Sequence, residues 1–169
     1  MKFVLTLLVL LVSSAASAVG GESGYGNTSW GMTLEEVMSS ENKNLEKLRQ
    51  PKVFRDSSAL IVNRDITISN QSFEVLYLFG ANTKGLVQVN VEAKEDRNHG
   101  INLSTFSELK RLLTSKYGAP YYENKNSKAA WVAGGSEVSL NHIFIKDILN
   151  KVAVTYKPRS DISARAKDL

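Results

Sequence analysis

Three neighbouring segments of the chain alternate apolar and polar residues, and this period of two constrains the fold more than any other feature. The segments cover residues 60–68, 73–79 and 86–93. Because successive side chains of a β-strand point to opposite faces, each segment is expected to form a strand with one apolar face. Turn-forming residues separate them, at 69–71 and 80–85. The sequence therefore predicts an antiparallel meander with one buried face.

Two helices are predicted, one before these strands and one after them. Thr33 and Glu36 have the spacing of a capping box, which favours a helix beginning at this point. The polar stretch 39–50 could continue that helix until Pro51 ends it. A second helix is predicted over 105–117, where Thr105 and Glu108 form another possible capping box.

The remaining apolar patterns predict three further strands, over residues 129–133, 137–145 and 151–157. The chain then reads as a helix followed by three strands, twice. We expect an α+β fold in which two helix-then-three-strand units form a mostly antiparallel six-stranded sheet, with the helices packed on one face. A single domain is predicted over residues 30–157.

The ends of the chain differ from this domain in composition. Residues 1–18 are predicted to be a secretory signal peptide, because Lys2 precedes an apolar run of about half the length of a membrane span and small residues follow it. The alternative is a short N-terminal membrane anchor. Residues 19–29 are interpreted as a Gly-rich flexible lead, and residues 158–169 as a disordered charged tail. We expect a bacterial periplasmic or secreted protein with no stable membrane anchor after cleavage.

The composition argues against several kinds of chemistry. The absence of cysteine from all 169 residues excludes disulfide scaffolds, thiolate metal sites and cysteine nucleophiles. With 21 basic and 17 acidic residues interspersed, the net charge of +4 is a weak signal for nucleic acid, and no nucleic-acid partner is predicted. Two histidines cannot form a three-histidine zinc site, and no hydrolase motif is present. We predict no enzymatic activity, no cofactor and no metal.

Both histidines are nevertheless candidates for a role. His142 occupies a position on the predicted inward face of a strand where an aliphatic residue would be expected. It is interpreted as a hydrogen-bonded core residue, while a function as base or ligand stays open. His99 lies in a predicted polar turn over 95–100 and is a candidate contact for a partner.

Tyr121 and Tyr122 are the main candidates for partner binding. They are consecutive residues in a predicted loop, so both cannot easily be buried. Exposed tyrosines are favoured at protein interfaces because they add contact area at low entropic cost.

Two short motifs carry a resemblance to known proteins. The segment Trp30–Val37 reads W-G-M-T-L-E-E-V, and residues 116–120 read K-Y-G-A-P at the end of the second predicted helix. These motifs resemble those of small exported bacterial proteins. The fold they suggest resembles that of the SmpA/OmlA group of outer-membrane assembly lipoproteins and of beta-lactamase inhibitor protein. The resemblance implies helices packed against an antiparallel sheet and a function exerted by binding another protein.

These observations together predict an exported, non-catalytic protein-binding module. The most concrete form is a periplasmic inhibitor or immunity-type protein that occludes an envelope-acting or secreted enzyme. An envelope assembly or accessory factor is the first alternative. A carrier of a lipid or another small hydrophobic ligand is the second.

Overall fold

The computed structural model describes residues 23–41, 44–94 and 98–159. The predicted signal peptide lies outside the described residues, as does the predicted tail from residue 160 onwards. The described part of the predicted lead forms a turn that is closed by an antiparallel bridge between Ser23 and Ser29.

The described residues form eight strands in one antiparallel sheet and two helices. The first half consists of α1 (Leu34–Ser40), β1 (Glu46–Phe54), β2 (Ser57–Ile68), β3 (Gln71–Gly80) and β4 (Leu86–Ala93). The second half consists of α2 (His99–Tyr117), β5 (Tyr122–Asn124), β6 (Lys128–Ala133), β7 (Ser136–Ile145) and β8 (Leu149–Pro158). The strand order is β1-β2-β3-β4-β8-β7-β6-β5, so each half is a meander and the last strands of the two halves pair with each other.

The prediction of a six-stranded sheet built from two helix-then-three-strand units is wrong, because the sheet has eight strands and both edge strands were missed. Residues 46–50, predicted as a possible extension of the first helix, belong to β1, which continues through Pro51. Four residues of β1 lie opposite the single residue Leu60, and this bulge erases the period of two. Proline, which has no N–H, is tolerated on an edge strand. The other edge strand, β5, is too short to show a period.

The structure confirms the predicted start of the first helix and contradicts that of the second. The capping box of α1 is confirmed: the Thr33 side chain accepts a hydrogen bond from the Glu36 N–H, and the Glu36 carboxylate accepts one from the Thr33 N–H. The predicted cap at Thr105 is wrong. Asn98 caps α2 through its side-chain oxygen, which accepts backbone N–H groups of the first turn. Thr105 is buried within the helix, and its hydroxyl donates to the carbonyl of Ile101.

Both helices contribute to one hydrophobic core, which lies against one face of the sheet. Helix α2 packs on β6, β7 and β8, and α1 contributes the fully buried Val37. The largest fully buried side chains include Trp131, Tyr77, Phe73 and Phe106. Burial of a side chain of this size stabilises the fold by about 1.5–3 kcal/mol. The opposite side of the sheet carries no helix among the described residues, and we call it the open face.

Candidate functional site: the open face of the sheet

A row of paired residues crosses the open face from one edge of the sheet to the other. Counted from β5, its second to fifth residues, on β6, β7, β8 and β4, are alanine, serine, threonine and asparagine, whereas the row ends in a tyrosine and a glutamate. This stretch of the row therefore carries only small or medium-sized side chains. From β5 to β1 the row consists of Tyr122, Ala130, Ser139, Thr155, Asn90, Leu76, Val62 and Glu46.

The half of the open face built by β1, β2 and β3 is covered by the chain itself. It carries a second hydrophobic cluster whose members are all fully buried: Ala59, Val62, Leu76 and Leu78. Leu48 and Phe54 of β1 pack against this cluster. The bulged edge strand thus supplies two apolar side chains that seal this half.

The half built by β5, β6 and β7 has no such cover among the described residues. Val132 lies two positions from Ala130 on β6, so it shares the open face, and it is exposed. Ile143 and Ile145 follow Ser139 on the same face of β7 and are also exposed. Apolar side chains of this size on an otherwise well-packed sheet are a mark of an interaction surface.

A polar network runs along the open face of β4, at the centre of the sheet. The Gln88 amide donates to Asn90 at 2.6 Å, and the Asn90 amide donates to the Glu92 carboxylate at 3.2 Å. The ammonium of Lys151, on the neighbouring β8, forms an ion pair with the other oxygen of Glu92. Asn90 and Glu92 are buried, so their hydrogen bonds hold these side chains in one arrangement.

The network ends in a charged cleft of about 450 Å³. Lys52 forms an ion pair with Glu74 at 2.6 Å within it. Arg64 forms an ion pair with Glu46 and is solvent-exposed. Pairs as exposed as these contribute about 0–1 kcal/mol each, so the cleft adds charge to the surface more than it adds stability.

The two tyrosines predicted to bind a partner lie at the β5 edge of this surface. Tyr121 is 60% exposed, and its hydroxyl donates to the Glu137 carboxylate at 2.8 Å. Partial burial of the hydroxyl and the neighbouring carboxylate raise the pKa of Tyr121 to about 12. Tyr122 is 47% exposed, and the ammonium of Lys128 lies 5.6 Å from its ring centroid. Both rings are therefore accessible and held by neighbouring charged groups.

His99 does not lie beside these tyrosines. It is the first residue of α2, and its ring packs at a tilt against Phe144 with the ring centroids 4.0 Å apart. Phe144 lies seven residues along β7 from Glu137, the partner of Tyr121, which corresponds to about 23 Å of strand. The structure brings Tyr121 and Tyr122 together and places His99 at the other end of β7.

His142 is 7% exposed and is held between two oxygen atoms. Its Nδ1 lies 3.2 Å from the Asn126 carbonyl oxygen, and its Nε2 lies 3.0 Å from the Asn150 side-chain oxygen. A buried ring with partners at both nitrogens fits the interpretation as a hydrogen-bonded core residue.

The described residues contain no group of three or more histidine, aspartate or glutamate side chains that could hold a metal ion. Residues 95–97 of the predicted polar turn lie outside the described part. Within the described ranges, no helix is long and apolar enough to cross a membrane.

Comparisons with protein-family models, with curated proteins and with solved structures find no match to the chain. The resemblance to the SmpA/OmlA group and to beta-lactamase inhibitor protein therefore stays a prediction.

Two features of the surface were missed at the level of sequence. The alternation of Gln88, Asn90 and Glu92 indicated a polar face of β4, but not that the three side chains form one hydrogen-bonded network. The second feature is the exposed apolar end of the β7–β8 hairpin, which includes Ile148 in the turn. The sequence does carry a signal for this exposed end. Three consecutive apolar residues and an isoleucine in the turn do not fit a strand with one buried face.

Proposed function

We propose that the protein is a non-catalytic protein-binding module that docks its partner on the uncovered half of the open face. The observation that carries this proposal is the difference between the two halves. One half is sealed by β1, whereas the other exposes Tyr121, Tyr122 and Val132 beside a row of small side chains. Interfaces of this kind place aromatic side chains around a surface that a partner can approach closely.

The edges of the sheet are poor alternatives for binding by strand addition. The β1 edge carries Lys47, Arg49 and Lys52, and Pro51 interrupts its row of donors. Charges, proline and a bulge on an edge strand all oppose pairing with another strand. The β5 edge offers only three residues. A partner is therefore expected to use the face.

We propose further that this docking occludes the site of an envelope-acting or secreted enzyme, as an inhibitor or immunity-type protein does. Occlusion requires shape, exposed aromatic side chains and polar contacts at the rim, and it needs no catalytic group on this chain. Residues 1–18 are proposed to direct export, and the mass of the protein isolated from the envelope would then correspond to a chain that begins after Ala18.

The test is capture of a partner from a detergent-solubilised envelope fraction of the source organism, with the purified protein as bait. Tyr121→Ser combined with Val132→Arg is expected to reduce capture at least about tenfold, because it removes an aromatic contact and places a charge at the interface. Val53→Arg is the matched control, since Val53 is exposed on β1 at the far side of the sheet.

The captured protein is then assayed with and without the bait. Partner capture that survives Val53→Arg, disappears with the open-face variant and is accompanied by stoichiometric inhibition of an enzymatic activity supports the proposal. Capture that is equal for all variants contradicts the docking surface. Capture of an enzyme whose activity does not change contradicts inhibition.

A further inference from the structure

The end of the β7–β8 hairpin projects beyond its neighbours in the sheet. The last pair that β7 makes with β6 is Asn141 with Lys128, and the last pair that β8 makes with β4 is Ala153 with Glu92. The hairpin continues past both points as a two-stranded ribbon to the pair Ile145 with Leu149. We call residues 143–148 the hairpin tip.

The tip is apolar on both faces of the ribbon. Ile143 and Ile145 project from the open face, and Phe144 projects from the opposite face over His99. Ile148 lies in the turn and is 77% exposed. All three of the other side chains are about half exposed.

The folding of the hairpin does not explain these side chains. The turn is closed by the Ile148 N–H, which donates to the Ile145 carbonyl at 3.0 Å, and Asp147 has a positive φ of 59°. Any residue with an N–H can close this turn, and polar residues are usual at such positions. A bulky, β-branched apolar side chain in the turn therefore indicates a contact outside the chain.

We propose that the hairpin tip inserts reversibly into the interfacial layer of a lipid bilayer. The flat surface of a protein partner would cover one face of the ribbon and leave the other in water. A lipid surface surrounds the whole tip, and so removes the apolar side chains of both faces and Ile148 from water together. The ribbon rises about 10 Å from Ile143 to the turn, which matches the depth of about 5–10 Å that interfacial segments reach.

The polar residues at the base of the tip and the charged residues around it also fit insertion at a lipid interface. His142 and Asn150 are hydrogen-bonded to each other at the base, where the polar residues begin again. Lys146 and Asp147 lie in the turn, so their charges keep the end of the tip in the hydrated headgroup layer. Lys151 is paired with Glu92, and the exposed Lys94, which lines the same cleft near the base, can reach lipid phosphates. The outward backbone groups of a two-stranded ribbon need water, which restricts insertion to the hydrated interface.

The test uses the absence of cysteine from the chain, because a single introduced cysteine can be labelled uniquely. An environment-sensitive fluorophore is attached to Ile148→Cys or, as the control, to Val53→Cys. Val53 is 78% exposed and lies on β1, five strands from β7 in the sheet. Vesicles of phosphatidylcholine with phosphatidylglycerol are added to each labelled full chain, and the emission is measured.

We expect the label at position 148 to shift to shorter wavelength and the label at position 53 to stay unchanged. In flotation with the same vesicles, Ile145→Ser combined with Ile148→Ser is expected to lower the partition coefficient at least about tenfold. Because both side chains are exposed, the circular dichroism spectrum and the melting temperature should be unchanged.

An equal shift of both labels, no shift at position 148, or unchanged partition of the double serine variant would overturn the proposal. If the double serine variant lost protein capture while its lipid partition stayed unchanged, the lipid proposal would also be overturned. The tip would then be assigned to a protein partner. The vesicles contain no protein, and the capture experiment uses detergent extract and the open-face residues. Failure of lipid binding is therefore distinguishable from failure of the proposed protein-binding function.

Discussion

His142 illustrates at the scale of one residue how a polar side chain is accommodated in the core. It projects from β7 on the helix side of the sheet, where Phe106 of α2 lies with its ring centroid 6.3 Å away. The two oxygen partners come from the β5–β6 turn and from β8, so the imidazole links three segments. A buried histidine without such partners would incur the full cost of desolvation.

Replacement of His142 by alanine is expected to lower the free energy of unfolding by about 2–4 kcal/mol, because it removes a buried ring and two hydrogen bonds. Urea denaturation followed by circular dichroism measures this change. His99→Ala serves as the control and should cost less than about 1 kcal/mol, since His99 is exposed. If His142→Ala left stability unchanged while abolishing partner capture, the side chain would be functional and its structural role would be wrong.

At the scale of elements, the start of α2 shows how local signals compete. Both Asn98 and Thr105 are residue types that cap helices, and the sequence favoured Thr105 because Glu108 follows it at the capping-box spacing. In the structure the helix begins at His99, and Thr105 instead lies on the buried side of the helix. Packing of α2 against the sheet stabilises the turns that precede Thr105, so the helix begins earlier than the capping-box spacing predicts.

Asn98→Ala is expected to destabilise the protein by about 1 kcal/mol, because the first turn of α2 loses its side-chain acceptor. Asn98→Asp keeps an acceptor at the same position and should leave the free energy of unfolding nearly unchanged. Chemical denaturation of the two variants and the parent provides the comparison. Equal destabilisation by alanine and aspartate would show that the cap does not contribute through its hydrogen bonds.

At the scale of the whole molecule, the pairing of β4 with β8 makes one sheet out of two meanders. Val89 and Val91 of β4 face Tyr156 and Val154 of β8, and all four belong to the same hydrophobic core. A core shared across this junction couples the unfolding of the two halves.

Native-state hydrogen exchange should therefore show β3, β4, β8 and β7 in a single slowest set that opens only on global unfolding. These four strands lie at the centre of the sheet and are paired on both sides, whereas β1 and β5 lie at the edges and should exchange faster. Amide exchange followed by nuclear magnetic resonance measures both sets. Distinct opening free energies for β4 and β8 would mean that the halves unfold separately.

The sequence by itself determined the elements whose pattern is local. The six strands with a period of two and the capped start of α1 depend on neighbouring residues, and all of them are present in the structure. The positions of Tyr121 and Tyr122 in an exposed segment also followed from adjacency alone.

Tertiary structure alone decided the strand order, the two edge strands and the difference between the halves of the open face. A bulge in β1 and three residues of β5 leave no periodic signal, because their side chains are set by the strands beside them. The burial of Asn90 and Glu92 depends on β8, which is about sixty residues away in the chain. Contacts between such distant segments have no local signature, so a period of two predicts a strand but not which strand lies beside it.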